Sequence, residues 1–241
     1  VIVNNHVAKE RAMSAVPLKF AAPDRMRAIA DAIEEEIVLG WLLPRERLIE
    51  EELAARFAVK RHVVREALAE LERDGLVERV PNKGAAVKRL DPDEVRQIYS
   101  VREALETLAA AQIPLPADAA VLAALRTVQE RHAAAVAEGD ARAAFRANMA
   151  FHETLFAACG NRHLVELIQM MAQKVHGARS ITAASPQHLA LARDEHAAMV
   201  AALESGDRDR LVVLCRDHLI PSRDAYIATV EGRVGRPVQS A

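Results

Sequence analysis

Three histidines sit at positions where imidazole chemistry would be shared. His152 lies seven residues after Phe145 and four before Phe156. His196 lies seven after Leu189 and seven before Leu203, and His218 lies seven after Leu211. At helical pitch each falls on the apolar face of its segment, and Asn148, four before His152, shares that face. One histidine on such a face is usually an ordinary core residue. Three on three segments ask for a common partner, because a buried imidazole needs hydrogen bonds and a divalent cation satisfies several at once. Zn, Ni, Cu and Fe all suit imidazole. The spacing gives no comparable place to His6, His132, His163, His176 or His188. Arg102 is a second candidate, on the buried stripe of Val95 and Ile98. It either pairs with Glu106, one turn on, or clamps a ligand carboxylate.

Basic residues mark a different chemistry. Nine of them lie between Arg56 and Arg89 against five acidic ones, in a chain of net charge -2. A local basic patch on a nearly neutral protein is what a small DNA-reading face looks like, although charge alone fits an ordinary solvated helix surface as well. Lys60, Arg61, His62 and Arg65 would open a recognition helix, where arginine can donate bidentately to guanine or pair with phosphate. Lys83 and Gly84 would form the tip of a hairpin, the lysine reaching phosphate and the glycine allowing close backbone approach.

The positioning elements are mainly helical. The chain has 241 residues, 51% apolar but only 3% aromatic, and is rich in Ala and Leu, which favours helix over strand. Residues 1–23 show no sustained period and are predicted to be a flexible arm. Residues 24–90 are predicted to be a winged helix-turn-helix. A helix capped by Asp24 carries Ile29, Ile33 and Ile37, and an extended link covers Trp41–Leu48. Helices follow over about 49–57 and 61–74, then a β-hairpin turning at Pro81–Gly84. Asp91-Pro92 opens residues 91–231, an antiparallel all-helical bundle of six or seven helices punctuated by Gly139-Asp140, Gly160-Asn161 and Gly206-Asp207. Its opening stripe is Val95, Ile98, Leu105 and Leu108, and Leu211, Leu214 and Leu219 share its last helix. Residues 232–241 are predicted to be a frayed tail. No stretch approaches the ~20 apolar residues of a membrane span. No leader pattern opens the chain, and Cys159 and Cys215 read as reduced thiols, so the expected location is cytoplasmic.

Several fixed spacings resemble a known family. Leu48-x-Glu50-x-Glu52-Leu53-Ala54, Val59-x-Arg61-x-x-Val64-Arg65-Glu66-Ala67-Leu68 and Leu71-x-x-Asp74-Gly75-Leu76-Val77, with Lys83-Gly84, resemble the GntR-type winged helix. The resemblance implies a homodimer on a palindromic double-stranded DNA operator, contacted through Arg61, Arg65 and the Gly84 wing tip. The chain departs at Arg45 and Ala58, where that family usually has glycine. It departs again at Lys60-Arg61-His62-Val63, where the family has Ser-Arg-Thr-Pro; losing the serine removes a good N-cap. Residues 92 to about 230 resemble the FCD domain of the FadR-like branch. Arg102-x-x-x-Glu106 resembles its opening, and Asn148-x-x-x-His152 its Asp/Asn-x-x-x-His motif. His196 and His218 fall where its later ligand histidines fall. The resemblance implies Zn, Ni or Mn held by Asn148, His152, His196 and His218, beside a pocket for a small organic acid. Asn148 stands where Asp is more usual, which removes one negative charge. Two rival functions are a metal-dependent hydrolase-like helical enzyme and a purely metal-responsive repressor. Against the enzyme, the spacing places no inward carboxylate as a general base, and there is no phosphate loop or nucleophile motif.

Overall fold

The computed structural model describes residues 22–80, 84–183 and 185–234. Residues 1–21, most of the expected arm, lie outside it, as do Lys83 and residues 235–241. The chain divides after Arg89 into two compact units, each with its own apolar core.

The first unit runs α1 (Ala22–Val38), β1 (Arg47–Leu48), α2 (Glu50–Arg56), α3 (Arg61–Arg73), β2 (Val77–Val80) and β3 (Gly84–Val87). α1 begins two residues before the expected cap at Asp24; Pro23 is compatible with a first helical turn, where no N–H is needed. Along α3, Val64, Ala67, Leu68 and Leu71 repeat at helical spacing and are all buried. They meet Ile29, Ile33 and Ile37 of α1 and Leu53 and Phe57 from the α2 region in one core. The expected link over 41–48 is corrected at its end. Leu48 pairs with Ala85 and Arg47 with Ala86, which makes a three-stranded antiparallel sheet in the order β1-β3-β2. A two-residue strand carries no period of its own; burial of Leu48 and its non-local partner create it. Arg45 and Ala58 adopt φ of 70° and 51°, the left-handed region that favours glycine.

The second unit holds α4 (Pro92–Gln112), α5 (Ala119–Glu138), α6 (Ala141–Ala157), α7 (Arg162–Lys174), a 3-10 turn (His176–Ile181), α8 (Pro186–Ser205), α9 (Arg208–Asp217) and α10 (Ile220–Val234). The punctuation read from sequence has a physical basis. Gly139 and Gly206 end α5 and α8 in the left-handed conformation, and Asp140 and Asp207 cap the next helices by accepting from Ala143 N and Arg210 N. Two details differ from expectation. Leu108 is 48% exposed, and the inward stripe of α4 is Val95, Tyr99, Arg102, Glu106 and Ala109. Leu211 and Leu214 lie on α9, but Leu219 falls in the turn after it, because a new helix starts at Ile220-Pro221. α5 packs on α6 and α8, and α4 on α7, α9 and α10, around Leu125, Phe151, Leu155, Met199, Leu203 and Leu211. Among the described residues no helix is long and apolar enough to cross a membrane.

Candidate functional site

In the second unit three elements converge. α6 supplies Asn148 and His152, α8 supplies His196, and His218 caps the C-terminus of α9. One nitrogen from each of His152, His196 and His218 lies within 4.8 Å of the others. His152 Nε2 and His218 Nε2 are 3.1 Å apart. Ring centroids of His196 stand 5.1 Å from His152 and 5.0 Å from His218. Phe151 stacks on the His196 ring at 4.0 Å and holds its plane.

The hydrogen-bond pattern of these rings fits a cation. His218 Nδ1 lies 2.5 Å from Glu195 Oε2. A carboxylate can only accept, so Nδ1 donates, which in a neutral ring leaves the Nε2 lone pair facing His152. His196 is fully buried, yet neither ring nitrogen has a hydrogen-bond partner; His152 Nδ1 also lacks one. Buried polar atoms are rarely left so. Burial, reinforced by the neighbouring His218, holds both His152 and His196 well below the ordinary histidine range. They stay neutral, as metal ligands must be.

Arg102 resolves one alternative left open by its spacing. Its Nε donates to Glu106 Oε1 at 2.8 Å, and the residues are 2% and 1% exposed. Its guanidinium lies over the Tyr99 ring and also lines a cavity of about 690 Å³, open mouth included. Around the same cavity stand His132, Asn148, Arg179, Glu195 and His218.

Three of these residues escaped the sequence reading. Glu195 is the inward carboxylate that spacing did not place, because it reaches His218 from another helix. Arg179 comes from the 3-10 turn, which has no period to read. His132 did carry a signal: it lies seven after Leu125 and four after Val128, on their stripe. It is completely buried, and neither ring nitrogen has a hydrogen-bond partner. Burial pushes it down to about 4. His188, also passed over, lines the cavity, and its Nδ1 lies 2.9 Å from Ser185 Oγ. His176 is buried against the edge of Phe145.

In the first unit the basic candidates sit together at the start of α3. Lys60, Arg61, His62 and Arg65 are all exposed. Arg65 donates through Nη2 to Glu50 Oε2 at 3.0 Å, and Arg61 Nη2 lies 3.7 Å from the same oxygen. Glu50, at the head of α2, thus gathers both arginines across eleven and fifteen residues, too far for local spacing to show it. Hydrogen bonding to Arg65 lowers the Glu50 carboxyl below its usual range. Gly84 opens β3 at φ +82°, a conformation only glycine adopts without strain.

Comparison with known proteins identifies both units. Residues 25–87 match the family described as bacterial regulatory proteins, gntR family, and residues 97–220 match the FCD domain. The chain is 38% identical over 136 residues to an uncharacterized HTH-type transcriptional regulator in the TAR-I ttuE-ttuC' intergenic region of Agrobacterium vitis, spanning 55% of this chain and 80% of that relative. It is 28% identical over 196 residues to the HTH-type transcriptional repressor GlaR of Escherichia coli (strain K12), spanning 78% and 89%. Among solved structures, a putative transcriptional regulator GntR from Rhodococcus sp. RHA1 superposes with a TM-score of 0.72 at 20% identity, covering 85% of this chain and 98% of that one. E. coli McbR/YncC gives 0.71 at 22% identity, covering 88% and 99%. At such identities the structural likeness bears on fold alone.

Proposed function

This chain belongs to the gntR family of bacterial regulatory proteins and carries an FCD domain, and from that premise we propose that a small carboxylate effector at a divalent-metal centre controls its binding, as a dimer, to a palindromic DNA operator. The observation that carries the proposal is the convergence of His152, His196 and His218, with both His196 nitrogens and His152 Nδ1 lacking partners, beside a cavity lined by Arg102 and Arg179.

The three imidazoles would hold Zn, Ni or Mn, with Asn148 as a weak oxygen donor. When bound, the cation supplies a positive seat for a carboxylate. Glu195 fixes the His218 tautomer so that Nε2 is left to bind. Glu106 holds Arg102 through Nε, and from its place on the cavity wall the guanidinium would orient an acid. On the DNA side, Lys60, Arg61, His62 and Arg65 would enter a major groove, with Lys83 and Gly84 of the wing on the backbone. One winged helix covers a half-site, so two copies in C2 symmetry, joined through their helical units, would read an inverted repeat. The effector acts only by its differential affinity for two placements of the DNA-reading heads.

Native mass spectrometry and elemental analysis of the full chain test this reading. The expected result is a dimer with one transition metal per chain, lost in His196→Ala, and a selected operator that is an inverted repeat. A parent chain that takes up no transition metal at saturation, or a His196→Ala chain that binds it equally well, sinks the metal centre. A monomer bound one per operator sinks the dimer.

A further inference from the structure

His132 is not needed to hold the cation, and the resemblance gives it no role. It is fully buried on α5, both of its ring nitrogens lack partners, and it borders the cavity. Among the described residues its ring contact is with His196, at a centroid separation of 4.9 Å and a tilt of 47°. A second pair in the same site offers a comparison. His152 and His218 have centroids 4.9 Å apart at a tilt of 41°, and their Nε2 atoms stand 3.1 Å apart, in hydrogen-bond contact. The His132 and His196 rings lie within reach of each other, but no nitrogen of either is in hydrogen-bond contact, and His196 and His218 share that separation and tilt, 5.0 Å and 47°, without a bond; an N–H···N bond between His132 and His196 requires one ring to turn.

We propose that His132 is a positioning residue of the metal centre, accepting the outward N–H of His196 and so fixing which His196 nitrogen faces the cation. The inference rests on the metal-centre reading above. A metal-bound histidine uses one nitrogen for the ion and donates from the other, usually to a carboxylate, carbonyl or water. For His218 that acceptor is Glu195. Among the described residues no carboxylate or carbonyl hydrogen-bonds to His196, and the unpartnered ring of His132 stands beside it. One N–H···N bond would satisfy two of the four unpartnered nitrogens of this pair, and the ion a third. His132 stays outside the group of nitrogens that lie within 4.8 Å of one another, which argues against its being a fourth ligand. Its place is secured by helix contacts that do not involve the ion. Gln129 Nε2 donates to the Arg193 carbonyl at 2.8 Å and Arg126 Nε to Glu204 at 2.7 Å, tying α5 to α8.

The test uses full-length protein and Zn(II). His132→Leu fills the space without an acceptor, and His132→Gln keeps one. The expected outcome is a 10–100-fold loss of Zn(II) affinity in the leucine variant, largely recovered in the glutamine variant. X-ray absorption should count the same number of imidazoles on the ion in the parent and both variants. Equal affinity in parent and His132→Leu overturns the proposal and leaves the metal centre standing. Loss of one imidazole from the ion in His132→Leu also overturns it, since His132 is then a ligand. A parent that binds no Zn(II) overturns both readings. A measurement on the parent alone covers variants that fail to fold. With 15N-labelled histidine and Zn(II) bound, a scalar coupling between His132 and His196 nitrogens across the shared proton is expected, and its absence overturns the proposal.

Discussion

Arg102 and Glu106 are both buried, and their 2.8 Å contact is what makes that tolerable. Removing one partner strands a charge where water cannot reach it. Glu106→Ala should therefore cost about 3–5 kcal/mol of folding stability in urea denaturation. A cost below about 1 kcal/mol would mean that the pair is solvated. Arg45 and Ala58 pose a subtler residue-scale problem. Both hold left-handed backbone, φ 70° and 51°, with a Cβ that disfavours it. Arg45→Gly and Ala58→Gly should each stabilise by about 0.5–1 kcal/mol, seen as a rise in Tm, even though glycine raises the entropy of the unfolded chain. Unchanged or lowered Tm in both would show that neither site is strained.

At the scale of the element, α3 trades stability for charge. Its N-cap Lys60 makes no side-chain capping bond, so the exposed amides of the first turn go unassisted. Lys60→Ser should stabilise the fold by about 1 kcal/mol and at the same time weaken binding to every DNA sequence, lowering the salt slope by about one unit. Arg61→Ala and Arg65→Ala should instead cost about 1–3 kcal/mol on the selected operator, with relaxed sequence preference. Fluorescence anisotropy across a salt series separates the two effects. If all three variants bind a selected operator as the parent does, α3 does not read DNA. The shared contact of both arginines with Glu50 keeps them on one face of the helix before DNA arrives.

The whole molecule should feel its buried histidines through pH. Take the metal-free protein. The unfolded chain protonates its histidines near 6.5, whereas folded His132 holds out to about 4. Burial likewise keeps His152 and His196 well below 6.5. Across that window the unfolded state binds more protons, so folding stability falls as pH drops from about 6.5 toward 4. Chemical denaturation at stepped pH should show the fall, with His132→Leu flattening part of it. A stability independent of pH between 6.5 and 4.5 would show that these rings are accessible to protons in the fold. Saturating metal should steepen the decline, because binding adds stability that protons remove.

Local chemistry made much of this protein legible in one dimension. The 3.6-residue stripes of α3, α6 and α8, the Gly-Asp punctuation and the basic start of α3 are written within a turn or two of chain, where sequence spacing and spatial spacing coincide. That is why His152, His196 and His218 could be picked out: each shows its inward direction by its own helix. Tertiary structure decided what those directions meet. Only packing of α5 on α8 sets His132 against His196, and only the fold of α8 beside the end of α9 gives His218 its carboxylate. Leu48 became a strand because Ala85 was there to pair with it, and Arg102 found Glu106 because the α4 face carrying both is buried. Spacing along a chain fixes which way a side chain points; its partner is fixed by whichever distant segment minimises unsatisfied polar groups and exposed apolar surface around it.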